Sequence, residues 1–177
     1  ALTGKTALVT GASSGIGEAI ARKLAAEGVN LVLVARSQDK LKQLADALTQ
    51  SYAVQCTVLL ADLSTQNCGA TVHGQVKAVG LTVDILVNNA GIASRGQSVA
   101  DTDPADMERV MRVHAFAPHY MSKCALPHLR KHARSDIVMI SSVATLTHGA
   151  NGAPYNMGKA AMESLALTLA KEEQKHG

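Results

Sequence analysis

Apolar residues fall into short unbroken runs, separated by longer stretches in which they recur every three or four positions. The runs at 5–10 (KTALVT), 30–35 (NLVLVA), 55–61, 83–87 and 137–140 have strand length, and none alternates cleanly with polar residues. Between them, Ile16, Ala19, Ile20, Leu24 and Ala25 predict a helix over 16–26, and Leu41, Leu44, Ala45 and Leu48 predict one over 38–48. A third helix is expected from Ser64, with that serine as its cap. Helical spacing runs again over 104–132, with bends expected at Pro118 and Pro127, and over 155–175. Strands that do not alternate are buried on both faces, as in a parallel sheet. Right-handed crossovers then place helices on both sides. The predicted class is α/β, a doubly wound parallel sheet of Rossmann type, in a single dinucleotide-binding domain spanning 1–177.

Composition narrows the function classes. Of 177 residues, 47% are hydrophobic and 18% charged, with 14 glycines and 4 prolines, which is a globular balance. The net charge is +3, and the basic residues are dispersed except at 130–132 and 171–175. Only Phe116 and Tyr120 lie near the first run, too few aromatics for base stacking, so nucleic acid is not an expected partner. Cys56, Cys68 and Cys124 form no CxxC pair and suit a reducing, cytoplasmic setting. No apolar run is long enough to span a bilayer, so no membrane partner is expected. Seven histidines without an HExxH pattern predict no metal, and His128 with His132 reads as a pair on a helix surface.

Thr10–Gly17 reads TGASSGIG, between the first strand and the first helix. Gly11, Gly15 and Gly17 allow a tight turn and close approach of a pyrophosphate to the helix N-terminus. The spacing is GxxxGxG and lacks a GK[ST] ending, which disfavours a nucleoside triphosphatase. After the second strand comes Ala35-Arg36, with no acid placed to bond a ribose 2′-hydroxyl. Arg36 offers a fork of donors for a 2′-phosphate, so NADP(H) is expected over NAD(H). Asp62, ending the third strand, is a candidate acceptor for an adenine amino group or a loop acid.

Tyr155 and Lys159 share one helix face at i,i+4 spacing. A tyrosine hydroxyl, pKa near 10, is a poor acid or base at neutral pH unless a cation lies close, and Lys159 supplies one. Ser142 ends the fifth strand, on the sheet edge where open parallel sheets bind ligands, and its hydroxyl can bond a carbonyl oxygen. A serine hydrolase would need Gly-x-Ser-x-Gly; Ile140-Ser141-Ser142-Val143-Ala144 has no such elbow.

TGASSGIG (10–17), Asp62-Leu63, NNAG (88–91), ISS (140–142) and YNMGK (155–159), in this order, resemble the short-chain dehydrogenase/reductase family. The resemblance implies an NAD(P)-dependent interconversion of a carbonyl and a secondary alcohol on a small-molecule substrate. Tyr155 would be the acid/base, Lys159 would bind ribose and lower the tyrosine pKa, and Ser142 would orient the carbonyl. Gly11, Ser13, Ser14, Gly15, Ile16, Gly17, Arg36, Asp62, Leu63, Asn89, Ala90 and Gly91 would line the cofactor beside Tyr155 and Lys159, and Asn88 would stabilise the sheet. It further implies a homodimer or homotetramer through the two long helices. Two departures stand out. His114 occupies the place of an asparagine that supports a proton-relay water; it is expected either to join that relay with pH-dependent geometry or merely to bond a backbone carbonyl. The family's final strands and substrate-covering loop have no counterpart before Gly177, so the chain is expected to be part of a longer one. The alternative to an enzyme is a dinucleotide-binding regulatory or scaffold protein with weak or no turnover.

Overall fold

The computed structural model describes residues 2–176. Five strands, β1 (Thr6–Thr10), β2 (Asn30–Ala35), β3 (Cys56–Leu60), β4 (Ile85–Asn88) and β5 (Asp136–Met139), alternate with α1 (Gly15–Ala26), α2 (Gln38–Tyr52), α3 (Cys68–Ala78), α4 (Pro104–Met111), α5 (Ala117–Leu129), α6 (Ala144–Thr147) and α7 (Ala153–Glu173). All strand pairs are parallel, in the order β3-β2-β1-β4-β5. This is the doubly wound α/β sheet that the unalternating apolar runs predict.

Both sheet faces are buried, as the lack of alternation requires. Ala7 and Val9 of β1 pack with Leu31, Leu33, Ala21, Ala25, Leu41 and Leu48 on one side. Leu8, between them, packs with Val32, Leu86, Val72, Val76, Met121 and Leu129 on the other. Each such fully buried Leu or Val contributes about 1.5–3 kcal/mol. The edge strands β3 and β5 are less covered than the central β1, β2 and β4.

Three expectations need correction. Ser64 does not open α3: its N–H and hydroxyl both bond the Asp62 carboxylate, and the helix starts at Cys68. The helix over 104–132 is broken by a π-turn, Arg112–Phe116, in which the Ala117 N–H reaches back five residues to the Arg112 carbonyl. Pro118 accounts for it, because proline has no N–H to offer the His114 carbonyl four residues earlier. His132 lies beyond α5 and does not pair with His128: its Nδ1 is 3.2 Å from the Asp84 carboxylate, while His128 stacks on His73. Burial alone would raise the Asp84 pKa, but the Thr6 N–H, Lys5 and His132 outweigh it and hold the carboxyl below its usual range.

Candidate functional site

Connections from β1 and β4 leave in opposite directions, which opens a crevice at the carboxyl ends of these two strands. Side chains knit its floor. The Thr10 hydroxyl oxygen accepts the Asn89 and Ala90 N–H groups, each at 3.0 Å, and the Asn89 amide donates to the Thr10 carbonyl at 2.9 Å. Asn88, expected to stabilise the sheet, donates to the Ser122 hydroxyl at 3.4 Å; Asn89 makes the ties across the crevice.

The glycines divide into two kinds. A Cβ on Gly17 would lie 2.3 Å from the Gly11 carbonyl oxygen, and one on Gly11 would lie 2.8 Å from the Ala90 Cα. Both are demanded by packing, and Gly11, at φ +64°, by its left-handed backbone as well. Gly15, at φ +57°, is different, since a Cβ there would meet nothing within 4 Å. It needs glycine for its left-handed backbone, and it opens α1 toward free space. The Ser14 hydroxyl, at the N-cap, makes no bond to the helix. Unpaired first-turn N–H groups, a free hydroxyl and an open approach form a cradle that fits a pyrophosphate.

From this cradle a cleft of about 1060 Å³ runs in two directions. One end is walled by Arg36, Ser37, Lys40, Asp62 and Leu63, the other by Gly91, His114, Ser141, Tyr155 and Lys159. The Asp62 Oδ1 accepts the Ser64 N–H and hydroxyl, which hold its pKa down, with a smaller contribution from Arg36. Asp62 is therefore a loop acid by its bonds and also part of the cleft wall.

Tyr155 and Lys159 sit in the first two turns of α7. Lys159 is 4% exposed, and its ammonium donates to the Ile140 carbonyl at 2.6 Å while lying 6.0 Å from the Tyr155 ring centroid. Burial pulls its pKa below the usual lysine value. A buried ammonium over a phenol ring, at the base of a cleft, is an arrangement suited to proton transfer.

Ser142, expected to end the fifth strand, lies three residues past β5 and is half-buried, outside the residues that line the cleft; its oxygen accepts the Ala144 N–H at 3.2 Å. Its neighbour Ser141 lines the cleft and bonds Glu163. Among the described residues no hydrogen bond joins Ser142 to Tyr155.

His114 lies in the π-turn, fully buried, edge-on to the Tyr155 ring at 5.0 Å between centroids. Its Nε2 is 3.0 Å from the Ile92 nitrogen and 2.7 Å from the Ile92 carbonyl oxygen. One ring nitrogen serves one of these partners at a time, and Nδ1, also buried, has none. Burial first, then the charges of Lys159 and Arg109, lower its pKa, so the ring is held neutral. Of the two expectations for His114, the backbone bond is present.

The cleft thus gathers Gly11, Ser13, Ser14, Ile16, Arg36, Asp62, Leu63, Asn89, Ala90, Gly91, His114, Tyr155 and Lys159, with Gly15 and Gly17 shaping the turn; Ser142 is not among the lining residues, though its neighbour Ser141 is. Lys40, four residues beyond Arg36, belongs to the wall as well, and that spacing to a second cation was the available signal. Ser141 and Glu163 gave none, since a contact spanning 22 residues leaves no local pattern. Among the described residues no group of three or more His, Cys, Asp or Glu could hold a metal, and no helix is long and apolar enough to cross a membrane.

Similarity to known proteins follows the same lines. The chain is 36% identical over 174 residues to the fatty acyl-CoA reductase of Acinetobacter baylyi, covering 98% of this chain and 59% of that protein. It superposes with a TM-score of 0.94 on L-sorbose reductase from Gluconobacter frateurii complexed with NADPH and L-sorbose, at 31% identity, over 99% of this chain and 66% of that one. A metagenomic short-chain oxidoreductase in complex with NADP superposes at 0.91, with 34% identity, over 99% of this chain and 79% of that one. The chain therefore spans about three fifths of the length of the reductase it matches in sequence. The sequence profile of the short chain dehydrogenases matches residues 5–177, and the chain belongs to that family.

Proposed function

We propose that the protein interconverts a small carbonyl compound and the corresponding secondary alcohol, using NADP(H). The cofactor, when bound, supplies or accepts the hydride at the carbonyl carbon. Ser142 donates a hydrogen bond to the carbonyl oxygen, and Tyr155 gives that oxygen its proton as the alcohol forms. The Lys159 ammonium stabilises the phenolate left behind and its donors hold the ribose. In the oxidative direction the same phenolate takes the proton back. The observation that carries this reading is the buried Lys159 ammonium over the Tyr155 ring, 6.0 Å from its centroid.

Selection of the phosphorylated cofactor rests on Arg36 and Lys40, two cations at one cleft end, with Ala35 where an acid would serve an unmodified ribose. The NADPH and NADP bound by the two similar structures support it. Exposed Phe116 and Leu167, 46% and 67% accessible, support self-association as a homodimer or homotetramer, and the unpaired cysteines support a cytoplasmic setting.

The test follows loss of NADPH absorbance against a panel of L-sorbose, an aryl ketone, a medium-chain aldehyde and a fatty acyl-CoA, repeated with NADH. Turnover with at least one carbonyl is expected, with NADPH favoured. Replacing Arg36 and Lys40 by Ala is expected to lower the NADPH/NADH ratio of kcat/KM about tenfold or more, the loss of charge-assisted bonds to one phosphate. Equal use of both cofactors by the unmodified protein would overturn the preference. Failure to bind either would overturn the function.

A further inference from the structure

Two residues of α7, one turn apart and opposite in charge, grip consecutive residues at the end of β5. Lys159 donates to the Ile140 carbonyl, and the Glu163 carboxylate accepts the Ser141 hydroxyl. Oε1 of Glu163 also lies 2.9 Å from the Thr145 hydroxyl, which is 2.9 Å from the Ser142 carbonyl oxygen, and the single hydroxyl proton serves one of these acceptors at a time. The acid therefore binds the residue before Ser142 and the third residue after it. Apart from Lys159, no other Asp, Glu, Lys or Arg lies between 140 and 163. Half-buried and holding two hydroxyl donors, Glu163 is drawn below the usual pKa by Ser141 first and Thr145 second, so it is an anion at neutral pH.

We propose that Glu163 is a positioning residue for the reaction: its carboxylate clasps Ser141 and Thr145, and so fixes Ser142 relative to Tyr155. Among the described residues the Ser142 side chain has only the Ala144 N–H as a partner, and Asn156 holds the far end of the same loop through the Gly149 carbonyl at 3.1 Å. Among the described residues, without the acid only Lys159 of α7 holds the near end by a side-chain bond, and its contact stops at Ile140. Displacement of an orienting group by about 1 Å costs about 100-fold in rate. The inference rests on the proposed carbonyl chemistry, because Ser142 needs fixing only if it orients a substrate.

The test compares Glu163→Ala, Glu163→Gln and Tyr155→Phe in the full chain, with NADPH and the best carbonyl of the panel. For Glu163→Ala, kcat is expected to fall about 10- to 100-fold while the NADPH dissociation constant stays unchanged, and amide exchange over 141–147 is expected to quicken. Glu163→Gln keeps one acceptor oxygen and is expected to lose only several-fold. Adding Ser141→Ala and Thr145→Ala to Glu163→Ala is expected to change kcat little further, since all three remove the same clasp. A lower Tm with unchanged kcat would make Glu163 merely structural and overturn the proposal, as would unchanged exchange over 141–147. An active Tyr155→Phe protein would instead sink the underlying function. An inactive Tyr155→Phe beside a fully active Glu163→Ala would sink only the clasp.

Discussion

The glycine turn after β1 and the π-turn between α4 and α5 both press on residues 89–92, by opposite means. At the first, side chains are absent: Gly11 comes so near Ala90 that a Cβ would overlap its Cα, and Gly17 leaves no room beside the Asn89 amide. At the second, a side chain is inserted: His114 reaches Ile92 through Nε2, and Gly91 and Gly158 make room for its ring. Backbone meeting backbone tolerates no alternative residue. An imidazole filling a gap is replaceable, and it leaves a buried nitrogen without a partner. The side of the segment that faces the glycine turn is thus set by exclusion, and the side that faces Tyr155 by a bond that depends on protonation.

The larger effect is expected at the first contact. Gly17→Ala would place its methyl 2.3 Å from a carbonyl oxygen and 2.4 Å from the Asn89 amide nitrogen, with backbone on one side unable to yield. Destabilisation of about 3 kcal/mol and loss of measurable NADPH binding are expected, checked by denaturant melts and titration calorimetry. A Gly17→Ala protein that binds NADPH normally would show that the turn is looser than its contacts require.

His114→Asn should have a smaller and pH-dependent effect. The pKa of His114 is lowered in the folded chain, so the unfolded chain binds more protons once the pH drops below about 6.5. The stability that depends on a neutral His114 is therefore complete above that pH and is lost as pH falls toward the folded-state value. Urea melts at pH 8 and pH 5.5 are expected to show a decline in the unmodified protein that shrinks in His114→Asn, whose amide does not titrate. An identical decline in both would assign the acid sensitivity to other groups.

What could be read from the sequence follows the same division. β2 spans 30–35 as its apolar run predicts, and the other strands lie within one or two residues, because burial on both faces writes itself into consecutive positions. The glycine turn was legible because only glycine tolerates its close contacts at 11 and 17 and the left-handed backbone at 11 and 15. α2 runs on to Tyr52, past the last apolar position of its stripe, and ends at Ala53 in the left-handed region. The π-turn was visible only as Pro118, and the short α6 not at all, since neither has a periodicity of its own. The Glu163 clasp stayed hidden for a different reason: its partners are 18 and 22 residues away, and only the folding of α7 against β5 brings them together.

Tyr155 carries the central claim, and the most direct measurement is single-turnover hydride transfer from NADPH by the Tyr155→Phe protein, beside calorimetric NADPH binding. The phenyl ring keeps the packing against His114 and loses only the hydroxyl. A fall of about 100- to 10,000-fold in the transfer rate, with NADPH affinity unchanged, is the result expected if the hydroxyl delivers the proton. Transfer at the unmodified rate would contradict the account and move the proton donor elsewhere in the cleft.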